Sequence, residues 1–245
     1  MSAGLEEQIM GGAVQAVGLA GTLLVGFTIL ALLLDRRQGL DGKKWFLFLG
    51  MVLPVILATL YLAGSTVYLN TISESGGPVH WHTDFEIWNC GQHVDLVEPI
   101  GLSNRVGTSV LHEHGDQRVH VEGVVVDSAT VGLDDFFAAV GGVLGKGTLV
   151  VPTDAGLVAM KDGESCNGGP GLVQVFLYRV NNPGAKPWVY TQQKLPSIEN
   201  YVPAPYSNVP PGDCVIIEFD IDKPATDKLC TSYEVVIERG ELRGG

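Results

Sequence analysis

Apolar residues follow two different rhythms along this chain. From Ala13 to Leu34 no position is charged, and a second uncharged run extends from Phe46 to about Leu69. As helices, both runs are long enough to cross ~30 Å of hydrocarbon. Beyond residue 78 the rhythm shortens to alternating segments broken by glycine and proline, which is the pattern of half-buried strands and turns.

The shorter rhythm predicts a hairpin from Thr83–Asn89 through Cys90-Gly91 to His93–Leu96, and a strand over Arg118–Val126. Further strands are expected at Thr148–Val151, Leu172–Val180, Val189–Lys194, Cys214–Phe219 and Ser232–Ile237. Turns are expected at Asp162-Gly163, Asn182-Pro183-Gly184 and Pro210-Pro211-Gly212-Asp213. One helix stands out, Thr130–Gly141, with Thr130 or Asp127 as its cap and glycine after its end. The expected fold class is α+β: a two-helix transmembrane hairpin followed by a mostly-β extracytoplasmic domain with one main helix, β-grasp-like.

Trp45 and Tyr68 flank the second span at headgroup level, and Pro54 lies inside it, where a proline is tolerated with at most a kink. The first charges are Glu6 and Glu7 and the first basic residue is Arg36, unlike the basic start of a signal peptide, so the first span is expected to be retained. Between the spans lie Arg36, Arg37, Lys43 and Lys44. The positive-inside bias places that loop in the cytoplasm and both termini on the extracytoplasmic side of the cell membrane, as a multi-pass anchor. Small residues at four-residue spacing (Gly18, Thr22, Gly26; Gly50, Pro54, Ala58) suit close helix packing, either within the hairpin or against other membrane-protein subunits. Residues 1–77 therefore read as anchor and linker, with spans at about 13–34 and 46–69, and residues 78–245 as one extracytoplasmic domain.

Charge narrows the partners of that domain. Beyond residue 44 there are 11 basic and 23 acidic residues. Such an excess disfavours nucleic acid or anionic lipid and favours cations; the bilayer itself is met through the two helices. Four cysteines, Cys90, Cys166, Cys214 and Cys230, all lie in the outward domain, and none forms a Cys-x-x-Cys pair. In an oxidising compartment they read as two disulfides; three connectivities exist, with Cys90–Cys166 and Cys214–Cys230 favoured, and thiolate ligation by Cys90 as the rival.

All six histidines fall between residues 80 and 120. They occur as His80-Trp81-His82-Thr83-Asp84, a lone His93, Leu111-His112-Glu113-His114-Gly115-Asp116 and Val119-His120-Val121-Glu122. On strands, residues two apart share a face about 6.5–7 Å apart, so each His-x-His pair can close on one ion. His80, His82, His112, His114 and His120 are the candidate ligands, with Glu122, which shares a face with His120, and Asp84 as carboxylates. Glu86, Glu113 and Asp116 are further carboxylates, either as ligands or as acceptors that orient imidazoles. His93 reads as an ordinary surface residue, and Trp81, Trp88 and Phe85 as core.

These segments resemble an uncharacterised family of membrane-anchored extracytoplasmic His-rich proteins from archaea, candidate-phylum bacteria and actinobacteria. The resemblance rests on His80–Glu86, Leu111–Glu122, the Gly132–Gly141 helix with Phe136-Phe137, and Pro211-Gly212-Asp213 before a strand. It implies a shared histidine constellation and no particular reaction. Related sequences often carry a third histidine where this chain has Asp84. The first metal motif of cupins matches His80-x-His82-x3-Glu86, but the second is missing around His120. Metallo-β-lactamase-type hydrolases share His80-x-His82-x-Asp84, yet Phe85 stands where that motif ends in histidine.

Imidazole with carboxylate suits copper(II) or zinc first, and iron(II) or nickel after them. A blue-copper centre lacks its cysteine between histidines and its methionine. No Gly-x-Ser-x-Gly, His-Glu-x-x-His or phosphate-cradling glycine loop is present. The leading expectation is a membrane-anchored, extracytoplasmic transition-metal-binding protein or accessory subunit of a membrane complex. Its alternatives are a metalloenzyme using the same ligands with an open coordination position, and a surface adhesion or assembly module with structural histidines.

Overall fold

The computed structural model describes residues 4–34, 41–198, 201–203 and 211–245. The chain divides into two compact units, Met1–Gly77 and Pro78–Gly245. In the first, helices α1 (Leu5–Leu33) and α2 (Asp41–Ile72) pack against each other. Each extends beyond the uncharged run that signals it, because polar residues at membrane borders continue a helix at little cost. Both are long and apolar enough to cross a membrane. Leu19, Leu32, Leu57 and Leu60 are all more than 60% exposed, the surface expected of lipid-facing helices.

Gly50 receives the Phe27 ring, which a Cβ there would strike at 2.3 Å, and Phe27 also meets Phe46 edge-on. Gly18 and Gly26 lie in open space, so the expected small-residue contact is made on α2 and not by those two glycines of α1. Of the expected basic loop, Arg36 and Arg37 lie outside the described residues, as does Pro210 of the last expected turn.

The second unit is built on one long strand, β1 (Pro78–Asn89). The short β2 (Gln92–Val94) folds back on it through Cys90-Gly91. Two short strands, β3 (Val106–Gly107) and β4 (Leu111–Glu113), precede β5 (Arg118–Val124). A single 3-10 turn at Ser128–Thr130, capped by the Asp127 carboxylate, leads to α3 (Leu133–Ala139). Next come β6 (Val143–Gly145), β7 (Thr148–Thr153) and β8 (Gly156–Lys161) as a separate antiparallel sheet. A small ribbon, β9 (Ser165–Cys166) with β10 (Gly169–Pro170), precedes β11 (Leu172–Val180), β12 (Trp188–Lys194) and β13 (Asp213–Asp220). The chain continues through α4 (Thr231–Glu238) to β14 (Leu242–Gly244).

The main sheet runs β14-β12-β11-β13-β1-β5-β4-β3. At its centre β5-β1-β13-β11 forms a β-grasp arrangement: β1 and β13 are parallel, each has an antiparallel neighbour outside it, and α3 falls between β5 and β11 in the chain. The mixed α+β class read from the sequence is the class observed.

Alternation along β1 assigns the two faces of this sheet. Phe85 and Ile87 enter the larger core with Val119, Val121, Phe136, Phe137, Leu149 and Val151, which α3 and the β6–β8 sheet complete. On the opposite face, α4 covers the β11–β13 end with Tyr233, over Phe176, Tyr178 and Ile216. The rest of that face, over β1, β5 and β4, carries the histidines.

The sequence predicts a strand over Ser232–Ile237, and here the structure corrects it: Thr231–Glu238 is helix. The β-branched run Val235-Val236-Ile237 favours a strand locally, but tertiary contacts prevail. Cys230, at the N-cap, is disulfide-bonded to Cys214 of β13, and Tyr233 is fully buried with its hydroxyl 2.8 Å from the Gly212 carbonyl oxygen. The second disulfide joins Cys90 to Cys166, so both favoured pairings are present and no cysteine is free.

Candidate metal centre

Strand pairing brings the histidines together. In the antiparallel register His82 lies directly opposite His120, and His120 directly opposite His112, forming one row across β1, β5 and β4. His80 lies opposite Glu122 in the next row. Directly opposed residues share a face and sit about 4.5–5.5 Å apart. The odd-numbered neighbours Trp81, Val121, Val119 and Leu111 turn to the other side, into the core. A one-residue slip would exchange the two sets, so burial of the valines fixes the imidazoles in place.

The ring centroids form a continuous chain: His80 to His82 at 4.4 Å, His82 to His120 at 4.5 Å, His120 to His114 at 4.6 Å and His114 to His112 at 4.7 Å. His120 is the middle of five. Two groups of ligand atoms, each lying within 4.8 Å of one another, result: His80, His82, His120 and Glu122, and His112, His114, His120 and Glu122. Glu122 faces both groups, with Oε1 2.7 Å from His80 Nε2 and Oε2 3.7 Å from His112 Nε2.

Neighbouring groups orient individual rings. His114 Nδ1 lies 2.5 Å from the Asn104 carbonyl oxygen, to which it donates, leaving Nε2 as its ligand atom. His120 Nε2 lies 3.2 Å from Asp116 Oδ2, leaving Nδ1 toward the cluster. These are the outer contacts that set tautomer and direction in histidine metal sites. The turn carrying Asp116 is held in turn by Glu113, whose buried carboxylate accepts from the backbone N–H of Asp116 and Gln117 at 2.6 and 3.1 Å. Burial pushes the Glu113 carboxyl above its usual range. Gly107, paired with His112 at φ +118°, lets β3 close on β4; a Cβ there would meet the Leu111 carbonyl oxygen at 2.5 Å.

Burial favours the neutral form of three of these rings, His82, His112 and His120. It is the leading cause that lowers His82 and His112 to about 4, assisted at His82 by His120 and His80 and opposed at His112 by Glu122. Burial lowers His120 too, against Asp116. Neutral imidazole is the ligating form. Among the described residues, six buried side-chain N or O atoms lack a hydrogen-bond partner, and four belong to this cluster: His82 Nε2, His112 Nδ1 and Nε2, and His120 Nδ1. Each such atom costs about 1–3 kcal/mol if nothing else satisfies it. A cation bound to one nitrogen of each of these three rings removes that cost for three of the four atoms, and the donor set fits one.

Asp84 does not join them. Although it shares the face of His80 and His82, its Oδ1 accepts from Arg118 Nε at 2.5 Å and its Oδ2 from Ser232 Oγ at 2.5 Å. Glu86 is likewise engaged, accepting from Trp88 Nε1 at 3.1 Å and from the Thr231 backbone N–H at 3.0 Å. The N-terminal turn of α4 thus claims both carboxylates. His93 packs against Trp88 and is outside both groups. Sequence reasoning missed Arg118 and Asn104; a backbone carbonyl carries no side-chain signal, and the role of Arg118 follows only from its register opposite Asp84.

Comparison with protein families, curated proteins and solved structures gives no match for this chain.

The lowered histidines make a signed prediction for the metal-free protein. Between about pH 4 and 6.5 the unfolded chain binds protons that folded His82 and His112 do not, so stability falls as pH falls through that window. Urea midpoints of the chelator-treated chain, followed by tryptophan fluorescence, are expected to drop steadily from pH 7 to 5, with about two protons taken up per unfolding event. A flat profile over that range contradicts the burial of neutral imidazoles.

Proposed function

We propose that this protein is a membrane-anchored, extracytoplasmic binder of a transition-metal ion, held by imidazoles of His80, His82, His112, His114 and His120 with the Glu122 carboxylate. The observation that carries this reading is the convergence of five imidazoles, with four buried ring nitrogens that lack a hydrogen-bond partner. A structural histidine cluster would pair those nitrogens within the fold. Copper(II) and zinc are the ions best matched to imidazole with one carboxylate, ahead of iron(II) and nickel. Two apolar helices supply the anchor, and two disulfides suit an oxidising, extracytoplasmic location for the second unit. With both termini outside and the basic loop inside, the acidic surface of the domain faces the source of its cation. Here the protein acts as a metal-binding subunit, alone or as an accessory to a larger membrane assembly.

The test uses the full chain purified in detergent, stripped with chelator and offered copper(II) or zinc, with bound metal measured after desalting. Wild type is expected to retain metal and the H82A/H112A variant to retain almost none. Wild type that retains no metal overturns the proposal.

A further inference from the structure

We propose that the cluster holds two metal ions bridged by the Glu122 carboxylate. This inference rests on the metal-binding reading above and goes beyond it in number and arrangement. The donor count is the first argument. Five imidazoles and a two-oxygen carboxylate exceed what one tetrahedral ion accepts, and they fall into two groups that share only His120 and Glu122.

The two carboxylate oxygens supply the second argument, because they face different histidines. Oε1 is 2.7 Å from His80 Nε2 and 3.8 Å from His120 Nδ1; Oε2 is 3.7 Å from His112 Nε2. One oxygen therefore belongs to the His80 side and the other to the His112 side. The ring chain repeats this division, since His82 and His114 flank His120 at nearly equal distances, 4.5 and 4.6 Å.

The first ion takes His80, His82, His120 Nδ1 and Glu122 Oε1, four donors. The second takes His112, His114 and Glu122 Oε2, three donors, which leaves a coordination position for a small ligand such as water. A carboxylate spanning two ions suits the ~3.5–4 Å separation of paired-metal sites. The two ions differ in accessibility as well: His80 is exposed on the first side, whereas His112 is fully buried on the second.

Metal stoichiometry and magnetic coupling decide the matter. The full chain in detergent is loaded with copper(II), desalted, and measured for copper per chain and by electron paramagnetic resonance. Two ions per chain are expected, with the weakened signal and half-field transition of a coupled pair. H80A/H82A, which alters the more exposed side, is expected to keep one uncoupled ion. E122Q, at a half-buried position, is expected to lose the coupling and at least one ion. One ion in wild type overturns the pair while leaving the metal-binding reading intact; no ion overturns both. Two ions in wild type with coupling unchanged in E122Q overturn the bridge.

Discussion

Replacing His120 with alanine is expected to weaken metal binding more than about 100-fold, the largest effect of any single substitution in the cluster. His120 is the middle ring of five and lies in both groups of neighbouring ligand atoms, so a single ion in either group loses a donor; with two ions, the first loses its Nδ1 donor while the second keeps its own three. Its loss should exceed the 10–100-fold range typical of groups that only orient a ligand. Asp116, which holds His120 Nε2, provides that comparison: D116N is expected within the range. His93 provides the opposite control, since it lies outside both groups and H93A should leave affinity unchanged. Competition titrations with a chromophoric chelator measure all three. An H120A protein that is folded and binds metal as wild type does would remove the middle ring from the site.

Removing the Cys90–Cys166 disulfide is expected to cost about 4.5 kcal/mol, the largest stability loss from any one covalent change. The bond closes a loop with a sequence separation of 76, and loop-closure entropy grows with that length. Cys214–Cys230, with a separation of 16, is expected to contribute about 3 kcal/mol by the same reasoning. The two losses should differ in kind. C90S/C166S frees the ribbon beyond the end of β1, whereas C214S/C230S loosens α4, whose first turn holds Asp84 and Glu86. Denaturant titrations of both double variants, each with its metal affinity, separate these effects. A loss below about 1 kcal/mol for C90S/C166S would contradict the entropic account.

Much of the arrangement was legible in the sequence because periodicity reports burial. Strand β11 matches its expected span, and β1, β5, β12 and β13 differ from theirs only at the ends. Alternation along Arg118–Val126 already put His120 and Glu122 on one face, away from Val119 and Val121. Spacing alone could not supply the register that sets His82 and His112 on either side of His120, because that depends on which strands neighbour β5. Short strands such as β3 and β14 give too few residues for a periodic signal.

Asp84 shows how one misread element changes a site. Asp84 is a candidate from its place beside His80 and His82, and with Ser232–Ile237 read as a strand no partner for its carboxylate is foreseen. As a helix, the same segment brings Ser232 to Asp84 and Thr231 to Glu86, and Arg118 completes the arrangement. The helix wins over its β-branched composition because a disulfide, two carboxylate acceptors and a buried tyrosine all favour its start.

X-ray absorption at the metal edge of the loaded full chain reads the ligand atoms themselves. A first shell of nitrogen and oxygen at about 2.0–2.1 Å is expected, with the outer-shell scattering of several imidazoles and no sulfur. A shell of water oxygens without imidazole scattering, or one containing sulfur, would contradict metal binding by the histidines.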